Sequence, residues 1–177
     1  MSRARRFYPH LSEGEGQFVA LMKRAGEQKK QQTFVYKDSA KPLDKREREA
    51  VEAFFRESLT EAPGGRVVKV GNNITLISHG CPIPPHSVFM PGVLVGEVFG
   101  GILKPSHQFF SCYGKLFRLQ IELEGKELEE YLRGAELASD LDGRGWCCIC
   151  YLGAAVGGGK LSEGRIKNHY PKGLRNK

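Results

Sequence analysis

The sequence predicts a mixed α+β chain in which short strands outnumber a few short helices, arranged as a small barrel or bent sheet. Three observations carry this. Apolar residues alternate or cluster in runs of about five to eight. Turn residues separate those runs at close intervals: GNN at 71–73, GG at 100–101, Gly153 and EG at 163–164. A helical apolar period holds only over 44–59 and, more briefly, 128–132.

Along the chain, residues 6–23 read as a hairpin: Arg-Phe-Tyr-Pro, a loop with Gly14 and Gly16, then QFVALM. AGEQKKQQ (25–32) is polar and aperiodic, a linker. Asp44 with Glu47 three residues on resembles a capping box. The helix it opens shows Val51, Phe54, Phe55 and Leu59 on one face and stops at Pro63-Gly64-Gly65. RVVKV, GNN and ITLIS make a hairpin. CPIPPH is an irregular loop, and VLVGEVFGGIL is strand broken at Gly100-Gly101. Ser106 caps one helical turn through Phe110. LFRLQIEL sets Leu116, Arg118 and Gln120 against Phe117, Leu119 and Ile121, a half-buried strand. Leu128, Tyr131 and Leu132 give a short helix ending at Gly134. Strands are expected at 145–152, 154–161 and 165–169.

At 177 residues, 40% hydrophobic and 27% charged, the chain can bury a core without disulfides or metal. No apolar run approaches the roughly 20 residues of a membrane span. MSRARRFYPH has a basic head with no apolar stretch behind it, so no signal peptide is read and the cytoplasm is the expected location. The formal net charge of +7 is unevenly spread. Seven cations face three acids in residues 1–30, and six face one from Lys160 onward, whereas 122–142 holds eight acids and two cations. Cations at both ends suggest a polyanionic partner, most simply nucleic acid.

Catalytic and metal chemistry find little footing. WCCIC (146–150) places its thiols adjacent and one apart, unlike zinc ligand pairs. In a strand it puts Trp146, Cys148 and Cys150 on one face and Cys147, Ile149 and Tyr151 on the other, as small apolar core residues. Gly157–Gly159 before Lys160 lacks the spacing and hydroxyl residue of a phosphate loop. The histidines are scattered, so no metal site is expected. An enzyme using Cys81 or Cys112 with His79, His86 or His107 is an alternative without a sequence-adjacent base.

The tail GRIKNHYPKGLR (164–175) mixes cations with planar side chains, unlike a repetitive basic tail. Lys160, Lys167, Lys172 and Arg175 suit phosphates, and Arg165 suits them bidentately. Asn168 can donate and accept at a base edge or 2′-hydroxyl, while His169 and Tyr170 can stack. Pro171 restricts the exit from the strand. These eight residues are the expected RNA-binding set, converging on one exposed ridge.

Two regions resemble a known family. RFYPHLSEGEGQFVALMKR (6–24) looks like the closing strands of the catalytic domain of the Sun-type (RsmB/RsmF) RNA 5-methylcytosine methyltransferases. LKPSHQF (103–109), YLRGAEL (131–137), GW (145–146) and GKLSEGRIKNHYPKGLR (159–175) look like the C-terminal region of the RsmF branch, where a linker domain and a PUA-like RNA-binding barrel follow the methyltransferase. The resemblance implies an α+β chain: an N-terminal hairpin left over from a Rossmann-like methyltransferase, a small mixed sheet, then a PUA-like β-barrel with short helices. In numbers, 1–24 is that hairpin, 25–43 a linker, 44–115 an intermediate α/β linker domain and 116–177 the PUA-like domain. The hairpin, with His10, Gly14 and Gly16, would face substrate. The family's S-adenosylmethionine fold and its Pro-Cys and Thr/Ser-Cys motifs have no counterpart here. The resemblance therefore implies no cofactor and no catalytic residue in this chain, with S-adenosylmethionine bound only by a catalytic domain elsewhere. The implied partners are RNA, most plausibly ribosomal, and such a catalytic domain. A stand-alone RNA-binding or assembly module serving a separate catalytic subunit is the alternative.

Overall fold

The computed structural model describes residues 4–7, 17–20, 38–81, 83 and 92–176. The chain divides into two compact units, 1–35 and 36–177. In the first, strands β1 (Ala4–Phe7) and β2 (Gln17–Ala20) pair antiparallel, Ala4 with Ala20 and Phe7 with Gln17. The expected hairpin is present, its first strand beginning two residues early. His10, Gly14 and Gly16, assigned to its loop, lie outside the described residues.

The second unit begins with a short segment held on a sheet edge. Ser39 donates its backbone N–H to Ile83 O (2.9 Å), and Lys41 bridges Lys69. Asp38 accepts from the N–H groups of Ala40 (3.0 Å) and Ile83 (3.2 Å) and pairs with Arg66. Those backbone donors, ahead of the guanidinium, hold its carboxyl below the usual carboxylate range. Helix α1 (Lys45–Ser58) follows from the expected capping box: Asp44 accepts the Glu47 N–H (2.8 Å) and Glu47 accepts the Asp44 N–H (3.0 Å). Such a cap stabilises by about 1 kcal/mol. The helix stops before Pro63 because Leu59, buried at its end, turns extended to bridge Phe117.

Strands β3 (Arg66–Val70), β4 (Asn73–Ile77), β5 (Val93–Phe99) and β6 (Ile102–Pro105) form an antiparallel meander. Helix α2 (His107–Tyr113) is capped by Ser106, whose Oγ accepts the Phe109 N–H (3.1 Å), and it runs one turn further than expected. A single 3-10 turn, Gly114–Leu116, leads on. The half-buried strand expected at 116–123 shrinks to β7 (Gln120–Glu122), because Phe117 is drawn into the core while the predicted alternation persists around it. Helix α3 (Gly125–Arg133) ends at Gly134, as expected. β8 (Leu137–Ala138) was not foreseen, whereas β9 (Gly145–Tyr151), β10 (Ala154–Ser162) and β11 (Arg165–Asn168) fall where the sequence put them.

These last strands order as β7-β9-β10-β11-β8, with β7 parallel to β9 and the other pairs antiparallel. The result is an open, PUA-like five-stranded sheet. Its two faces bury different cores. Cys148 and Cys150 join Phe54, Phe109, Phe110 and Phe117 from the α1 and α2 side, with Phe110 stacked on Phe117 at 4.8 Å between ring centroids. Cys147 and Ile149 join Leu161, Ile166 and Tyr131 under α3. The alternation read from WCCIC is thus the division between the cores. Burial pushes the Cys147 thiol up to about 12, which leaves it protonated and inert.

Gly157–Gly159 is buried strand. A Cβ at Gly158 would sit 2.2 Å from the Phe110 ring, and one at Gly159 2.5 Å from Ile166 Cγ2. The triplet lets both cores close onto β10. Among the described residues no helix is long and apolar enough to cross a membrane.

Candidate nucleic-acid interface

Strand register assembles the site. Lys160 on β10 lies opposite Trp146 on β9 and opposite Lys167 on β11. Directly opposed residues share a face, so the three form one row across the sheet. Alternation along β11 adds Arg165 on one side of Lys167 and His169 on the other. The Lys160 Nζ stands 5.5 Å from the Trp146 ring centroid, a cation–π contact. The His169 ring meets Trp146 edge-on at 4.7 Å. Its backbone N–H is tied to Gly158 O (3.1 Å).

Lys104, on β6, completes the cluster. Burial, then the charges of Lys104, Lys167 and Lys160, push the His169 imidazole down to about 4. His169 is therefore neutral at pH 7, a flat ring ringed by three ammonium groups. Among the described residues Lys104, Lys160, Arg165 and Lys167 have no carboxylate within 4 Å. The α3 cations instead pair along their own helix, Lys126 with Glu130 (3.7 Å) and Arg133 with Glu129 (3.5 Å). The acidic 122–142 stretch leaves the row unneutralised.

The other tail residues are engaged in holding α3. Asn168 donates both amide hydrogens, to Tyr131 O (2.7 Å) and Ala135 O (2.9 Å), and accepts the Tyr170 N–H (2.8 Å). Tyr131 O, which also accepts the Gly134 N–H (2.9 Å), lies in the last turn of α3 and Ala135 O just past its end, where carbonyls draw partners from outside the helix. The Arg175 guanidinium crosses Gly134, which has φ 95°. A Cβ there would lie 2.4 Å from Arg175 Cζ, so glycine serves both the left-handed cap and this contact. Arg175 also donates to Tyr170 O (3.3 Å), placing a cation at the negative end of the helix dipole. Tyr170 packs against Tyr131 (5.5 Å) and His107 (5.3 Å). Lys172 is exposed on a separate 3-10 turn, Lys172–Leu174.

Of the eight expected residues, Lys160, Arg165, Lys167 and His169 share one face, while Asn168, Tyr170 and Arg175 turn to α3. Trp146 and Lys104 belong to the cluster and were not among the eight expected residues. Trp146 had been given a strand face, but only the β9–β10–β11 register reveals which tail residues share it. Among the described residues no group of three His, Cys, Asp or Glu side chains is placed to hold a metal. Cys112 is exposed on α2 and hydrogen-bonds to no described imidazole.

Comparisons with known proteins bear on the segment that carries this sheet. Residues 118–176 match the family model described as the methyltransferase RsmF PUA domain. The chain is also 30% identical to the Ribosomal RNA small subunit methyltransferase F of Psychromonas ingrahamii, over 47% of this chain and 19% of that protein. The chain thus spans about a fifth of the length of the curated relative it matches. The C-terminal segment, residues 118–176, is therefore similar to the PUA domain of RsmF methyltransferases.

Proposed function

We propose that this chain is the RNA-binding C-terminal part of a SAM-dependent ribosomal RNA (cytosine-C5) methyltransferase, acting in the cytoplasm. It holds structured RNA in place for a catalytic domain outside this sequence. The observation that carries the reading is the Trp146–Lys160–Lys167 row, flanked by Lys104, Arg165 and neutral His169. Cations without acid partners hold phosphates in register, and planar rings between them offer a surface for bases. The match to the RsmF PUA domain and the name of the relative support ribosomal RNA as the polymer. The expected domains, a linker domain over 44–115 and the PUA-like domain over 116–177, supply the two walls of this surface, Lys104 coming from the first.

RNA affinity measured against salt tests the reading. With about five phosphates held, log K falls with log[salt] at a slope of roughly −3.5 for single strands. Changing Lys160 and Lys167 together to Ala weakens binding and flattens that slope by roughly 1.4. Affinity indifferent to salt, or untouched by the double change, would refute it.

A further inference from the structure

A cleft of about 770 Å³ opens beside the cationic row, between α1, β6 and the edge of β9–β10. Its lining includes Ile102, Arg118, Arg144, Trp146 and Lys160, over a floor made in part by Phe54. Building on the RNA reading above, we infer that this cleft takes one unpaired nucleotide, its base on the apolar side formed by Trp146 and Ile102 and its phosphate on Arg118 and Arg144.

Four features argue for that occupant. The volume lies within the range of sites for small organic ligands, of which a nucleotide is one. Ile102 is 66% exposed, an apolar side chain left in water at a cleft that the polarisable indole of Trp146 also lines. A flat, apolar-faced ring would bury both. The charge in the cleft is positive: Arg118, Arg144 and Lys160 stand against Glu57, and among the described residues none of the three cations has a carboxylate within 4 Å. Finally, Lys160 belongs to both cleft and row, so a strand following Lys167 and Lys160 would deliver its next base to Trp146.

A base-paired strand does not fit this arrangement. Bases in a duplex are stacked on both faces and cannot offer one to a recessed indole, whereas unpaired bases can. The row can meet the backbone of either form, but the cleft selects the unpaired one.

Trp146 is the chain's sole tryptophan, so its fluorescence reports on the cleft and the row beside it. The full chain is titrated with a purine-rich single-stranded pentaribonucleotide and, separately, with a blunt RNA duplex, binding being followed in parallel by anisotropy of labelled RNA. The single strand, stacking a base on the indole, should change Trp146 emission strongly at saturation, and the duplex, meeting only the cations of the row, should change it much less. Arg118→Ala with Arg144→Ala should weaken the single strand about tenfold or more and leave duplex affinity unchanged. Equal emission changes with both RNAs, or unaltered single-strand affinity in that variant, would overturn the inference. Arg165→Ala with Lys167→Ala separates the two readings: it should weaken both RNAs alike. Loss there with no effect of the Arg118/Arg144 pair leaves the row as the RNA surface and removes the cleft. Failure of both RNAs to bind the wild-type chain removes both readings.

Discussion

His169 shows how a single residue's environment decides its chemistry. An imidazole in a basic tail would ordinarily be counted among the cations, but this one is partly buried against Trp146 and surrounded by Lys104, Lys160 and Lys167. Its folded value, about 4, lies below the roughly 6.5 of the unfolded chain, so the unfolded state takes up protons first as pH falls. The stabilisation is complete above about pH 6.5 and drains away toward pH 4. Denaturant midpoints measured across that window should therefore fall, and His169→Gln should flatten part of the decline. RNA should act in the opposite direction on the imidazole itself. Phosphates at Lys160 and Lys167 offset the charges that hold it neutral, so its NMR titration should shift upward on binding. A titration unmoved by RNA would mean that phosphate does not approach this cluster. Lys160, Arg165 and Lys167 were legible from the sequence, but Lys104 and the shift of His169 were not, because Lys104 comes from a strand 65 residues earlier that only folding brings near.

Elements show the same division between local and distant information. The Asp44–Glu47 capping box, the Ser106 cap and the Gly134 stop were readable because each is decided within about one helical turn. The two faces of β9 were readable because alternation is a local property. The start of β7 and the existence of β8 were not: Phe117 is taken by Leu59 across the chain, and β8 is two residues that matter only as an edge for β11. Asn168 belongs with these. Read as a base-edge contact, it is the tie between β11 and α3, its acceptors lying 37 and 33 residues back. Asn168→Ala should cost about 2 kcal/mol through three lost bonds, Ala135 O losing its partner while Tyr131 O keeps the Gly134 N–H. Asn168→Asp should cost more, because a carboxylate would face two carbonyl oxygens. In both variants the RNA affinity of the folded fraction should equal that of wild type. Thermal melts with binding assays on the same samples check this, and lost affinity at unchanged stability would return Asn168 to the RNA contacts.

At the scale of the whole 36–177 unit, the five-stranded sheet is finished by the elements that precede it. The family match begins at 118, yet one face of β9 and β10 is covered by Phe109, Phe110 and Phe117 and by α1 beyond them. Gly158 is without a side chain so that Phe110 can reach the strand. The PUA-like segment is therefore a recognisable sequence unit whose sheet is covered on one face by residues outside it, and the cationic row and the cleft beside it are shared in the same way, since Lys104 and Ile102 come from the other sheet. Residues 118–176 expressed alone should lack a cooperative thermal transition and should bind an apolar dye. Thiol chemistry gives the sharper reading. In the full chain Cys147, Cys148 and Cys150 are buried and should resist a disulfide reagent that reaches the exposed Cys81 and Cys112. In the fragment, Cys148 and Cys150 lose their cover and should react rapidly. Phe110→Ala in the full chain should fall between, losing about 3–5 kcal/mol while keeping a single transition. A fragment that melts cooperatively with its thiols protected would show that the α1–α2 layer merely rests on the sheet, because burial of the Cys148 face would then need nothing from residues 36–117.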